Sequence, residues 1–447
     1  MVNPNLDFNN KYLIKLIVPL VIEQLLAVLV GFVDTLMIST VGEYAISGVA
    51  LVDNINRLAI QVLAAFATGG VVVVSQYLGR GDEERSRLCT GQLLTLMMVS
   101  TVAISAILIL FPRQILGVIF GGVSSDVMEA AVTYLIVTSF SYPFLAIYNA
   151  GAAIYRSFGN SSISMRISLV MNIANVALNA VFVFYMHLGV LGVGLATLFS
   201  RAISCIIMAT HLESSSNKLR PHSLSAFLPK AKYITKILKI GIPSGVENSM
   251  FQIGKLVVVG MVAKLGTSAI AANSVATQII DFPNLPATSI GIALITIVSQ
   301  CVGAGRIDEA RRQTKRLMKY AYVSDWISKG LLFIFAPQLV SWFSLTDDTA
   351  ATAVLVLRSF FIAAIVAWPM SFTLPNALRA AGDARYTMTV SILSMWVCRI
   401  AASYFLVFHL HMGIMGVWGG MYVDWYIRAF FYLIRYLGNR WSRHQVI

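Results

Sequence analysis

The chain has 447 residues, of which 57% are hydrophobic and 12% charged, and it carries a formal net charge of +13; its mean hydropathy is +0.77. Soluble globular domains carry roughly twice that share of charge, about 25%, so the composition argues against a soluble enzyme or binding module and for a membrane protein. Four cysteines, Cys89, Cys205, Cys301 and Cys398, stand far apart without CxxC spacing and suggest neither a disulfide framework nor a metal site.

The first residues, "MVNPNLDFNN", are polar and lack a basic n-region and a small-residue cleavage site, so no cleaved signal peptide is expected and the N-terminus is placed in the cytoplasm. A first apolar run covers 12–38 and contains Pro19, Glu23 and Asp34. Further runs follow at 45–78, 91–111, 129–155, 163–186, 188–211, 236–263, 269–303, 318–343, 350–377, 386–409 and 412–437. Each has the twenty or so residues that cross about 30 Å of hydrocarbon. The reading is therefore an all-α polytopic membrane protein with twelve transmembrane helices.

Basic residues fall in alternate loops. Lys11 and Lys15, then Arg80, Arg85 and Arg87, then Arg156 and Arg166, then Lys218 to Lys236, then Arg306 to Arg316, then Arg379 and Arg385, then Arg440 and Arg443 mark one side. Intervening loops such as "TVGEYAISG" and "SLTDDTAATA" hold almost none, apart from Arg113 and Lys264. This is the positive-inside pattern; it puts both termini in the cytoplasm, points to the inner membrane and removes any need for a nucleic-acid partner.

The chain repeats itself. "SQYLGRGDEERSR" from Ser75 and "SQCVGAGRIDEARR" from Ser299 lie 224 positions apart, as do Pro19 and Pro243, Glu23 and Glu247, and "HLGVLGVG" and "HMGIMGVW". "YRSFGNSSISM" (155–165) meets "LRAAGDARYTM" (378–388) at an offset of 223. Six helices return each half to its starting side, so the copies are expected to be parallel repeats related by a pseudo-two-fold axis along the membrane normal. Residues 1–212 form the N-terminal lobe, 213–233, with Pro221 and Pro229, a cytoplasmic linker, and 234–447 the C-terminal lobe. Since each lobe is a complete six-helix unit, a monomer is expected.

Two lobes around a cleft are transporter architecture, and charges inside the membrane are its first functional candidates. Glu23, Asp34, Arg57, Arg201, Glu247, Lys255, Asp281, Asp325, Lys329, Arg399 and Asp424 qualify. Asp34 has no basic residue within one turn, so its partner must come from another helix. Asn172, Asn175 and Asn179 share one helix face, and Thr197 adds a hydroxyl. One carboxylate with neutral oxygens could hold Na⁺ or, protonated, substitute H⁺ for it. The alternative for the asparagines is plain interhelical hydrogen bonding, worth under about 1 kcal/mol each. Glu247, Lys255 and Gln278 are assigned to a cavity of the C-terminal lobe; the competing reading pairs Glu247 with Lys255 or Arg399. Arg57 and Asp281 occupy equivalent positions with opposite sign and form a proposed gate. Asp325 with Lys329 and Asp424 with Arg428, each at i, i+4, read as local neutralising pairs. No HExxH, GxSxG or P-loop motif suggests an enzyme or an ATP-driven pump.

"VDTLMIS", "SQYLGRGDEERSR", "ALRAAGD" and "GIPSGVENSMFQIGKL" together resemble the multidrug and toxic compound extrusion (MATE) family over almost the whole chain. The resemblance implies antiport: export of amphipathic, often cationic compounds in exchange for Na⁺ or H⁺ by alternating access, with membrane lipids around it and no further cofactor. It also implies that Asp34, Asn175, Asn179 and Thr197 form the cation site and that Glu247 is the acidic residue of the C-lobe cavity. Two departures stand out: position 179 is Asn where some relatives carry Asp, and "AAIVAWPMSFTLPNALRA" holds no acidic residue. Coupling is therefore expected to run through Asp34, with a bend of the first helix at Pro19. The alternative within the same superfamily is a flippase for a lipid-linked precursor.

Overall fold

The structure, a computed structural model, describes residues 8–214, 226–343, 345–443 and 446–447. Among them every regular element is helical. Sixteen α-helices follow in chain order: α1 Asn10–Ser39, α2 Glu43–Arg80, α3 Glu83–Leu110, α4 Pro112–Phe120, α5 Ser125–Phe140, α6 Tyr142–Ser157, α7 Ser162–Asn179, α8 Gly189–Ser214, α9 Ala231–Ala263, α10 Thr267–Gly303, α11 Ile307–Val340, α12 Asp347–Trp368, α13 Leu374–Ala380, α14 Ala384–Leu393, α15 Ala401–Phe408 and α16 Gly413–Leu437.

Among the described residues nine helical stretches are long and apolar enough to cross a membrane, or ten when α5 and α6, bent by 46° at Ser141, count as one span. Two of the twelve expected spans fall outside that number, α11 and α16. Both are long enough, at 34 and 25 residues and about 1.5 Å each. Their charges lower their apolarity, and the ones deepest in sequence are buried as pairs: Lys329 Nζ meets Asp325 at 2.6 Å and Arg428 Nε meets Asp424 at 2.8 Å. A buried charge held by a neighbour one turn away is compatible with a span, whereas hydropathy alone counts it as a penalty.

The duplicated loop phrase is a duplicated helix stop. Gly81 takes φ +80 and donates its N–H to Leu78 O, while Asp82 N–H reaches back to Tyr77 O. In the second copy Gly305 takes φ +71 and donates to Val302 O, and Arg306 N–H reaches Cys301 O. Both are the 6→1 closure that a left-handed residue permits after a helix. Asp82 then caps α3 by accepting from Arg85 N–H at 3.0 Å.

Breaks also recur in the fourth and fifth spans. The fourth bends at Ser141 in the first half, and in the second a π-helical turn, Pro369–Thr373, joins α12 to α13. The fifth carries a π-helical turn at Ala180–Tyr185 and again at Ser394–Ile400. Such turns release the regular i→i−4 ladder where side chains must be re-aimed.

Contacts divide the chain between Gly241 and Ile242, giving a first unit of Asn9–Gly241 and a second of Ile242–Ile447, with Phe8 counted in the second. The division falls inside α9, beyond the linker expected at 213–233, because the first turns of α9 pack on α2. Gly69 lies against the backbone of Ile237 and Gly241, and Lys236 Nζ donates to the Tyr77 hydroxyl at 2.8 Å. Residues 215–225 of the expected linker lie outside the described residues. Just beyond them, Gln92 on α3 donates to Ala226 O (2.7 Å) and Leu228 O (2.8 Å) and accepts from Lys230 N–H (2.7 Å), fastening the segment to the first unit.

Candidate functional site

In the first unit α1, α2, α5, α7 and α8 enclose a cavity of about 330 Å³. Its wall includes Asp34, Asp53, Asn56, Arg57, Tyr134, Asn172, Asn175, Thr197 and Arg201. Asp34 receives a hydrogen bond from Asn179 Nδ2 at 2.7 Å, and the same amide donates to Asn175 Oδ1 at 3.2 Å. The spacing of the asparagines along α7 stacks them on the face that α1 covers, which is why one amide can serve both neighbours. Asn179 is fully buried behind the cavity wall, and its Oδ1 has no hydrogen-bond partner among the described residues. The structure thus brings Asp34, Asn175, Asn179 and Thr197 together around one cavity.

Sequence reasoning passed over Asp53, Asn56 and Tyr134. Asn56 Nδ2 donates to Asp53 Oδ1 at 3.2 Å and its Oδ1 accepts from the Tyr142 hydroxyl. Asp53 and Arg201 line the same cavity as Asp34, and Arg201 is held at the Ser141 bend by donating to Ser141 Oγ at 2.7 Å. The signal was present: Asp53 and Asn56 sit at i, i+3 in "LVDNINRLAI", inside the apolar run at 45–78. Among the described residues no group of three or more His, Cys, Asp or Glu is placed to hold a metal ion. The cavity wall instead combines two carboxylates, Asp34 and Asp53, with neutral amides and hydroxyls and with the guanidinium groups of Arg57 and Arg201.

In the second unit α9, α10, α12, α16 and the two π-helical turns around Pro369 and Arg399 enclose a cavity of about 270 Å³. Phe251, Phe360, Trp368, Phe372, Trp418 and Trp425 form its aromatic wall, with Lys255, Arg399 and Asp281 the charged residues that line it. Of the three residues assigned to such a cavity, Lys255 lines it, with its Nζ 5.2 Å from the Phe251 ring centre. Glu247 and Gln278 are not among the lining residues. Gln278 is exposed beside Thr277, whose side chain takes the lining position on α10. Arg57 and Asp281, the proposed gate, each line the cavity of their own unit.

Glu247 has another role. Arg379 Nη2 meets its carboxylate at 2.6 Å, Ser391 Oγ donates to it at 2.5 Å, and Thr387 is 3.5 Å away. Its ion-pair partner is therefore Arg379, and the pairing with Lys255 or Arg399 weighed from sequence is corrected. Glu23, its counterpart in the first half, accepts from Ser164 Oγ (3.0 Å) and Tyr148 (3.1 Å). Ser164 and Thr387 are themselves repeat equivalents, so both halves clamp their first helix to their fifth with a buried glutamate.

Two helical units, each built around its own ionisable cavity and crossed by apolar helices, define a polytopic membrane transporter. The MatE family model matches residues 19–181 and 243–405, one copy in each half, and the chain belongs to the MATE family of transporters. It is 27% identical over 436 residues to the uncharacterized transporter YisQ of Bacillus subtilis strain 168, covering 95% of this chain and 93% of that one. It is 24% identical over 450 residues to the probable multidrug resistance protein NorM of Thermotoga maritima, covering 98% and 94%. The fold matches a crystal structure of MATE in complex with MaL6 with a TM-score of 0.89 at 19% identity, over 98% of this chain and 96% of the other.

Proposed function

We propose that the protein is an antiporter of the inner membrane that exports amphipathic, often cationic compounds in exchange for Na⁺ or H⁺, working as a monomer with both termini in the cytoplasm. The observation that carries this reading is Asp34 in the wall of an internal cavity, held by a single amide donor, Asn179, that also holds Asn175. A carboxylate in that position is neutralised by a bound cation or a proton. Either event weakens the charge-assisted hydrogen bond from Asn179, and with it one of the ties between α1 and α7. Helix α1 carries Pro19, where a backbone hydrogen bond is missing, so loosening Asp34 allows α1 to change its bend and reshape the cavity. Such a cycle requires the ion and the exported compound to favour different conformations, since a ligand indifferent to both moves nothing. The Thermotoga maritima relative NorM is named a probable multidrug resistance protein, which supports export of drugs in general.

The test is gradient-driven transport in proteoliposomes. A fluorescent lipophilic cation is followed while a Na⁺ gradient or a pH gradient is imposed separately, with wild type and Asp34→Asn side by side. Flux driven by one gradient and lost in the variant supports the reading and names the ion. Flux that persists in Asp34→Asn overturns it. The second reading, a flippase for a lipid-linked precursor, draws on the Lys255 and Arg399 side chains in the second cavity; it gains if neither gradient drives flux and a lipid-linked pyrophosphate is translocated.

A further inference from the structure

An aromatic cavity is ordinarily a cation trap, because ring faces are electron-rich. In the second unit those faces are already taken. Phe251 has Arg428 4.8 Å, Lys255 5.2 Å and Arg399 5.7 Å from its centre. Phe372 has Arg428 at 5.5 Å, while Trp368 and Phe360 share Lys329 at 4.5 and 5.6 Å. Four of the six wall rings therefore carry a cation from the protein itself.

The ionic balance points the same way. Lys329 is neutralised by Asp325, both fully buried. Asp424 is claimed by Arg428, which meets it with two nitrogens at 2.8 and 3.0 Å, and by a hydrogen bond from Ser394. Arg399 reaches the same carboxylate only at 3.9 Å, so one carboxylate faces two buried guanidinium groups. Asp281 is exposed at the cavity, whereas Arg399 is 7% exposed. The Arg399 Nε and Trp425 Nε1 donors are buried and lack a hydrogen-bond partner among the described residues. Both residues line the cavity. The third lining residue with an open polar atom is Asn284, an amide that can present either end. Buried donors without acceptors are rare enough that a missing acceptor is their natural explanation.

We propose that this cavity binds planar aromatic carboxylates, the carboxylate on the Arg399 guanidinium and the ring system between the aromatic walls. A guanidinium fork matches a carboxylate geometrically as well as electrically. At about 270 Å³ the space lies at the small end of ligand pockets and suits a bicyclic ring. The proposal deepens the transport reading by naming a substrate class for this cavity, and rests on that reading only for the step from binding to export.

Three probes with one ring and three charges test it on the purified full-length protein: 2-naphthoate, 2-naphthalenemethanol and 2-naphthylmethylammonium. Binding is read from quenching of tryptophan fluorescence, to which Trp368, Trp418 and Trp425 in the wall contribute. The naphthoate should bind roughly tenfold or more tighter than the alcohol, the difference a charge-assisted hydrogen bond supplies, and the ammonium weakest. Arg399→Gln should bring naphthoate to the level of the alcohol, and Arg399→Lys should keep part of the preference. An ammonium that binds as well as the naphthoate overturns the proposal, as does a preference that survives Arg399→Gln; should that variant misfold, the wild-type series decides alone. Wild type that exports a lipophilic cation under a gradient but shows no naphthoate preference refutes this inference and leaves the transport reading. Naphthoate preference without gradient-driven flux does the reverse.

Discussion

Glu247 on α9 and Arg379 on α13 meet at 2.6 Å, in the largely buried position that corresponds to Glu23 and Arg156 in the first half of the chain. In the second half the glutamate is held by an ion pair and a serine hydroxyl; in the first, Glu23 is held by two hydroxyls. The two clamps should therefore fail differently. Glu247→Gln strands a guanidinium and should cost about 3 kcal/mol, the lower end for breaking a buried pair. Glu23→Gln exchanges hydrogen bonds of hydroxyls to a carboxylate for weaker ones to an amide and should cost about 1 kcal/mol. Thermal unfolding in detergent ranks the two; Arg379→Met added to Glu247→Gln should recover part of the loss. Unchanged stability with abolished coupling in Glu247→Gln would return Glu247 to the cation pathway.

Asn179 makes a second comparison. Its amide supplies the hydrogen bond to Asp34 and leaves its own oxygen open. Asn179→Ala removes both. Because neutralisation of Asp34 gives up that charge-assisted hydrogen bond, its removal should ease neutralisation, and the concentration of coupling ion giving half-maximal flux should fall about tenfold, the value of a hydrogen bond to a charged group. Asn179→Asp would place two carboxylates side by side, and repulsion between them should make the cycle more dependent on a cation that bridges them. Flux assays over a range of Na⁺ and pH distinguish these outcomes; an unaltered ion dependence in Asn179→Ala would detach Asn179 from the site.

Gln92 offers a prediction about architecture. Its side chain binds the backbone of residues 226, 228 and 230, and Thr95 donates to Phe227 O. Gln92→Ala should release this stretch from α3, and cleavage by trypsin after Lys230 and Lys232 should accelerate about tenfold, since proteolysis follows the population of the open form. Gly91, whose added Cβ would meet Ala226 O, should behave likewise as Gly91→Val. Equal cleavage rates would show that other contacts hold the segment.

How much of this was written in the sequence depends on the distance over which each feature acts. The helix stops at Gly81 and Gly305 and the pairs Asp325–Lys329 and Asp424–Arg428 are local, set within a turn or two of backbone, and the spacing of residues states them directly. The family resemblance also named Asp34, Asn175 and Asn179 together, and α1 lying on α7 is what joins them. Partners drawn from helices far apart in sequence were another matter. Arg379 lies 132 residues from Glu247, and nothing local marks it as the claimant rather than Lys255 or Arg399. The offset of 223 that aligns Arg156 with Arg379 and Ser164 with Thr387 carried the clue, but only a packed fold shows that the same two helices touch in both halves. Asp53 was missed for a different reason: it lies inside the apolar run at 45–78, but beside Asn54, Asn56 and Arg57 it reads as one more polar group of a helix turn, until α1, α7 and α8 are seen to close a cavity over it.

Pro19 gives the sharpest test of how the cavity of the first unit is opened. It sits buried within α1, fifteen residues before Asp34, and its ring denies Lys15 O a hydrogen bond from residue 19. Pro19→Ala restores that bond and removes the clash with the preceding turn, so the helix should become straighter and more stable, by up to about 3 kcal/mol of local helix propensity. If bending at this point is part of the cycle, the variant should unfold at an equal or higher temperature while gradient-driven flux falls severalfold. Binding of the lipophilic cation at equilibrium should persist, because no cavity-lining group has changed. Stability and flux moving in opposite directions is the signature of a hinge. Should both fall together, Pro19 serves packing, and the change of shape that follows neutralisation of Asp34 must be sought elsewhere in the unit, first at the α5–α6 bend where Ser141 holds Arg201.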